Sequence, residues 1–123
     1  MNRIFRREFT TSIKRLEIYK NTGDFNNLIT RSSNKPLLVD WTAEWCPPCK
    51  LLAPLLENVS QGNGSKVDLI KIDVDENVEL AREYSITSMP TVIAFKSGKP
   101  VSKFVGAVNK QQLDSFVEHI NKI

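Results

Sequence analysis

A chain of 123 residues is the size of one ordinary domain, and 41% hydrophobic and 25% charged residues are the composition of a globular protein that folds without disulfide support. No apolar run approaches the ~20 residues that a membrane-spanning helix needs. The net charge of +3 does not mark a nucleic-acid surface: residues 1–20 hold six basic side chains against two acidic ones, and the rest of the chain has eleven against twelve.

Residues 1–15 read as a basic leader. Arg3, Arg6, Arg7, Lys14 and Arg15, with Ile4, Phe5 and Phe9, the hydroxyls of Thr10, Thr11 and Ser12, and Glu8 as the sole acid, have the composition of a mitochondrial or plastid transit peptide. No apolar stretch of about 7–15 residues follows, so a secretory signal is not expected. An ordinary charged tail without an address is the alternative reading.

From Leu16 to Tyr19 apolar and polar residues alternate, which predicts a short strand ended by Thr22, Gly23 and Asp24. Asp24 stands where it would cap a short helix with Phe25, Leu28 and Ile29 as its apolar stripe. Pro36 to Trp41 is apolar without alternation, the pattern of a strand buried on both faces, and Asp40 is the one carboxylate in it. A Cys-Pro-Pro-Cys turn follows, then an apolar-rich helix from Lys50 to Val59, where Pro54 predicts a kink and Gly62 to Gly64 a stop. Val67 to Asp73 predicts a second central strand, and Asn77 to Tyr84 a helix with Val78, Leu80 and Ala81 as its apolar contacts. Thr91–Phe95 and Val101–Val105 predict an antiparallel pair joined by residues 96–100, and Leu113, Phe116, Val117 and Ile120 mark a closing helix over 109–121. The order β-α-β-α-β-α-β-β-α describes one α/β domain with helices on both faces of a mixed sheet.

Cys46 and Cys49 are the only cysteines. Once a helix starts between them they lie one turn apart, near enough to close or reopen a small disulfide ring. So short a ring constrains the unfolded chain very little, so the spacing suits a redox couple better than a structural staple. Cys46, at the helix N-terminus, is placed for attack, because exposed N–H groups there favour a thiolate; Cys49 should be less exposed and act second. Pro48 fits the first helical turn, where its missing N–H costs nothing. Half a zinc or iron–sulfur site is the competing reading. A closed site needs four ligands, and the chain has no second cysteine pair and a single histidine, His119, which leaves a cluster shared between two chains as the metal alternative. Asp40, a lone carboxylate in an apolar strand, should have a pKa raised by desolvation, which suits proton transfer near neutral pH; capping a neighbouring helix is the alternative.

The segment from Leu38 through Asp40, Trp41, Thr42, Ala43, Glu44, Trp45, Cys46, Pro47, Pro48 and Cys49 to Lys50 resembles the active-site segment of thioredoxins. Pro54, Lys71 between Ile70 and Ile72, Ser88-Met89-Pro90-Thr91, Gly98 and Val105-Gly106-Ala107 fall at the spacings of that family. The resemblance covers residues 16–123 and implies the thioredoxin fold, a central mixed five-stranded sheet flanked by four helices; the basic leader resembles the mitochondrial branch.

It further implies a protein-disulfide reductase with Cys46 as nucleophile, Cys49 as resolving thiol, Asp40 moving protons to and from Cys49, and Lys71 beside Asp40 as its ionic partner. Pro90 would be a cis-proline facing the dithiol, and Trp45, Pro47, Met89, Pro90, Val105, Gly106 and Ala107 a rim for an extended peptide. No bound cofactor and no metal are implied. Electrons would come from NADPH through a partner thioredoxin reductase, and the clients would be disulfide-containing proteins such as peroxiredoxins or reductases. The implied protein is a monomer of the mitochondrial matrix, with the cytoplasm as the alternative, and has neither nucleic acid nor membrane as a partner. Two positions depart from the family pattern: Pro47 stands where a Gly is usual, and Thr42 where a second aromatic is. The stiffened turn keeps open an oxidase or isomerase with a more oxidising couple, and a binding module with an incidental dithiol is the reading from another class.

Overall fold

The sheet is built outward from β2, Leu37–Thr42, which is buried along nearly its whole length. In the computed structural model, residues 18–19, 25–30 and 35–123 are described; the basic leader and the proposed cap Asp24 lie outside them. On one side β2 pairs in parallel with β3, Asp68–Asp73, in the register Asp40↔Lys71 and Thr42↔Asp73. On the other it pairs antiparallel with β4, Thr91–Lys96, in the register Leu37↔Phe95 and Trp41↔Thr91. The outer neighbours are β5, Lys99–Val105, antiparallel to β4, and β1, Ile18–Tyr19, parallel to β3. The sheet order is thus β1-β3-β2-β4-β5. Four of these strands have six or seven residues; of the strand predicted from Leu16 to Tyr19, Ile18 and Tyr19 pair in the sheet, and Leu16 and Glu17 lie outside the described residues.

Four helices are described, α1 (Phe25–Thr30), α2 (Pro47–Ser60), α3 (Val78–Glu83) and α4 (Lys110–Asn121). They cover both faces, because β2 turns alternate side chains to opposite layers. Leu37, Val39 and Trp41 join Ile70, Ile72, Ile93 and Phe95 under α1 and α3, where Phe25 stacks edge-on against Tyr84 and Phe95. Leu38 faces the other way and meets Leu69, Val92 and Ala94 under Leu52 and Leu56 of α2 and Leu113, Val117 and Ile120 of α4. The two-sided burial predicted for this strand follows from that arrangement.

α2 begins at Pro47, with both prolines in its first turn, and continues through Pro54 to Ser60 as one element. The hairpin is tighter than predicted. Lys96 pairs with Lys99, so the connection is only Ser97 and Gly98, both with positive φ, which is the backbone of a two-residue turn matched to strand twist. Pro100 joins the sheet because β5 is an edge strand, and it sits where the register shifts between Ala94 and Phe95. α4 opens on a capping box: Asn109 Oδ1 accepts the Gln112 N–H at 2.8 Å, and Gln112 Oε1 accepts the Asn109 N–H at 2.9 Å.

Candidate active site

Parallel strands deliver their following loops to the same edge of a sheet, and here the loops after β2 and β3 meet the segment before β4. Cys46 is the N-cap residue of α2, in extended conformation, and its sulfur accepts the N–H of Cys49 at 3.3 Å. The two cysteines are joined by a disulfide, with their Cα atoms 5.3 Å apart. The helix start therefore aims a backbone donor and the positive end of its dipole at Cys46 Sγ. Ala43, Val74 and Met89 pack around the pair. The predicted contrast between an open first sulfur and a sheltered second one is not seen in the bonded pair: Cys46 is 2% exposed and Cys49 4%. Each sulfur shields the other, and the Met89 carbonyl oxygen lies 3.7 Å from Cys46 Sγ.

The predicted rim residues come together through two backbone connections. Thr91 pairs with Val105 between β4 and β5, and the Gly106 N–H donates to the Pro90 carbonyl at 2.8 Å. The Met89–Pro90 bond is cis, and Gly106 takes a positive φ of 97°. Pro90 is buried and Met89 half-buried, while Pro47, Val105 and Ala107 are exposed. Trp45 is 63% exposed, yet its indole is fixed: Nε1–H donates to Asp75 Oδ2 at 2.7 Å. Sequence reasoning missed Asp75. The sequence carried no signal for it, since only the Thr42↔Asp73 pairing of the folded sheet sets the segment after β3 beside the segment after β2.

Asp40 lies beneath this edge, 2% exposed, between Val39 and Trp41, which face the opposite layer. It is directed toward the layer that α2 covers, where Cys49, Leu52 and Leu56 are the buried residues. Its Oδ1 has no hydrogen-bond partner among the described residues. Burial pushes its pKa from the usual 3.8 up to about 7, against the smaller opposing pull of the Lys71 charge.

The expected ion pair between these two residues is not formed. Lys71 is the register partner of Asp40, but its ammonium donates to Glu57 Oε2 on α2 at 2.8 Å. Glu57 is partly exposed, so the ion pair formed there keeps contact with water and avoids the desolvation cost of a pair buried at Asp40. Glu57 was also missed, although it lies two turns beyond Cys49 on the same helical stripe. Among the described residues, no three His, Cys, Asp or Glu side chains gather to hold a metal ion, and His119 is exposed on α4.

The family model for Thioredoxin matches residues 17–119. The bifunctional thioredoxin reductase/thioredoxin of Mycobacterium leprae is 49% identical over 82 residues, which are 67% of this chain and 18% of that protein. A thioredoxin of Mycobacterium tuberculosis is 45% identical over 94 residues, 73% of this chain and 81% of the relative. The mitochondrial thioredoxin of Bos taurus is 41% identical over 97 residues, 79% of this chain and 58% of the relative. Among solved structures, Plasmodium falciparum thioredoxin superposes with a TM-score of 0.73 at 38% identity, covering 84% of this chain and 97% of that one. A chain from the structural study of the thiol resolving mechanism in yeast mitochondrial 1-Cys peroxiredoxin via glutathione/thioredoxin systems superposes with a TM-score of 0.74 at 33% identity, covering 88% and 98%. With a matching fold, a matching family model and a bonded cysteine pair at the mouth of α2, the chain belongs to the thioredoxin family and is a thiol–disulfide oxidoreductase.

Proposed function

We propose that the chain reduces protein disulfides, with Cys46 as nucleophile, Cys49 as resolving thiol and Asp40 as the group that moves protons to and from Cys49. One observation carries this assignment of roles: Cys46 Sγ sits at the N-terminus of α2 and receives the Cys49 N–H, which favours negative charge on that sulfur and not on its partner. In the reduced protein the Cys46 thiolate attacks one sulfur of a client disulfide; the other client sulfur leaves with the electron pair of the broken bond. Asp40, as carboxylate, takes the proton from Cys49. The Cys49 thiolate then attacks Cys46 Sγ, the Cys46–Cys49 bond forms, and the second client sulfur leaves as a thiolate. Two electrons have passed from the dithiol to the client.

The rim formed by Trp45, Pro47, Met89, Pro90, Val105, Gly106 and Ala107 is the docking surface in this reading, with an extended client strand beside the Met89 backbone. A partner thioredoxin reductase using NADPH restores the dithiol, a route supported by the fusion of the two activities in the name of the Mycobacterium leprae relative. Clients of the peroxiredoxin type are supported by the yeast structure. The mitochondrial matrix is supported by the composition of residues 1–15 and by the mitochondrial relative. The chain acts as a monomer in this account. Lys71 tunes Asp40 from a distance.

The test is turnover of a protein disulfide in the presence of NADPH and a thioredoxin reductase. Wild type should sustain NADPH oxidation, and Cys46→Ser and Cys49→Ser should each lose it. Sustained turnover by Cys46→Ser would overturn the assignment of the nucleophile. Sequencing the N-terminus of the mature protein tests the leader, since an intact Met1 on protein from organelle-free cytosol contradicts matrix import.

A further inference from the structure

One charged residue bonded to the register partner of the buried carboxylate has no part in the exchange just described. Glu57 lies on the inward stripe of α2, two turns past Cys49, and holds the Lys71 ammonium at 2.8 Å. Lys71 stands directly opposite Asp40 in the β2–β3 register, so its flexible stem is rooted between two carboxylates on one face of the sheet. The ammonium is on Glu57, and Asp40 Oδ1 is left without a hydrogen bond among the described residues. β3 adds Asp73, whose Oδ1 accepts the Asp75 N–H at 2.8 Å; β4 contributes Val92, Ala94 and, at its far end, Lys96, whose ammonium donates to the Ile120 and Ile123 carbonyls at 3.3 and 2.9 Å; α4 contributes Leu113, Val117 and Ile120. Burial is the larger influence on Asp40; Lys71 is the cation that opposes it, and Glu57 holds that cation.

We propose that Glu57 is a positioning residue for the resolving step: by anchoring the Lys71 ammonium on α2 it withholds that cation from Asp40 and keeps the carboxyl able to exchange a proton near neutral pH. The inference rests on Asp40 being the proton carrier for Cys49. If Lys71 bonded Asp40 instead, the carboxylate would be stabilised as an anion and would become a poor acceptor for the thiol proton. The cost of burying an ion pair opposes that arrangement, and the half-exposed position of Glu57 offers the ammonium a partner that stays close to water.

The test is a carboxyl ¹³C NMR titration of Asp40 in the oxidised full chain, with the pH profile of the resolving step measured in single turnover. Glu57→Gln should lower the Asp40 midpoint by about half a pH unit or more and move the resolving-step profile in the same direction. In a Lys71→Met background the same substitution should move the midpoint by less than half as much, since no ammonium is left to redirect. An unchanged midpoint in Glu57→Gln, or an equal shift in the Lys71→Met background, overturns the proposal. Asp40→Asn separates this from the reading beneath it. If Asp40→Asn leaves the profile of the resolving step unaltered, the proton-carrier assignment fails. If it abolishes the inflection while Glu57→Gln moves nothing, only the role of Glu57 fails.

Discussion

Asp40 is the residue at which fold and chemistry conflict most openly. Its carboxyl titrates near 7 when folded and near 3.8 when exposed, so between those values the folded chain binds a proton that the unfolded chain releases. Stability on this account is full below about pH 4, falls as pH rises toward 7, and levels off above it; the loss is about 4 kcal/mol as an order of magnitude. Asp40→Asn should accordingly stabilise the chain by a few kcal/mol at pH 8 and by little at pH 4, as read by urea denaturation at the two pH values. An equal effect at both would show that the carboxyl is not held neutral by burial. At Trp45 the balance lies elsewhere. The indole bond to Asp75 is exposed, so Trp45→Phe should cost less than about 1 kcal/mol of stability while raising KM for a protein client, because the rim loses a fixed wall. The raised pKa of Asp40 was legible from a single acid in an apolar strand. The partner of Lys71 was not, because it depends on how near a helix two turns past the dithiol comes to β3.

Among the elements, those with a strong pattern were read correctly and those set by packing were not. β2, α2 and α4 follow from an unbroken apolar run, a proline-led start and an apolar stripe with an asparagine cap. The β4–β5 connection was read as five residues because Pro100 looks like a loop residue, yet an edge strand tolerates proline where no ladder donor is needed. The turn that results depends on Gly98. Its φ is +81°, and a Cβ there would lie 2.7 Å from Thr30 Cγ2 of α1. Gly98→Ala should therefore destabilise by about 1–3 kcal/mol, visible as a lower midpoint in thermal or urea denaturation. Asn109→Ala removes the capping box of α4 and should cost about 1 kcal/mol by the same measurement.

For the molecule as a whole, the order of strands and helices was enough to place a mixed sheet between two helical layers, and the parallel pairing of β2 with β3 is what brings two loops to one edge. That edge is the site. Cys46, Cys49 and Asp40 stood out by their own chemistry in the sequence, whereas Met89, Pro90 and Gly106 came only with the family resemblance; Asp75 and Glu57 join them only through the neighbours the fold provides. The central claim is that Cys46 attacks the client and Cys49 resolves the intermediate. Mass spectrometry of covalent adducts, after incubating reduced Cys49→Ser and Cys46→Ser proteins with a disulfide-containing client, tests it most directly. The account predicts a mixed disulfide through Cys46 that accumulates in Cys49→Ser and is absent or weak in Cys46→Ser. Equal trapping by both variants, or trapping by Cys46→Ser alone, would contradict it.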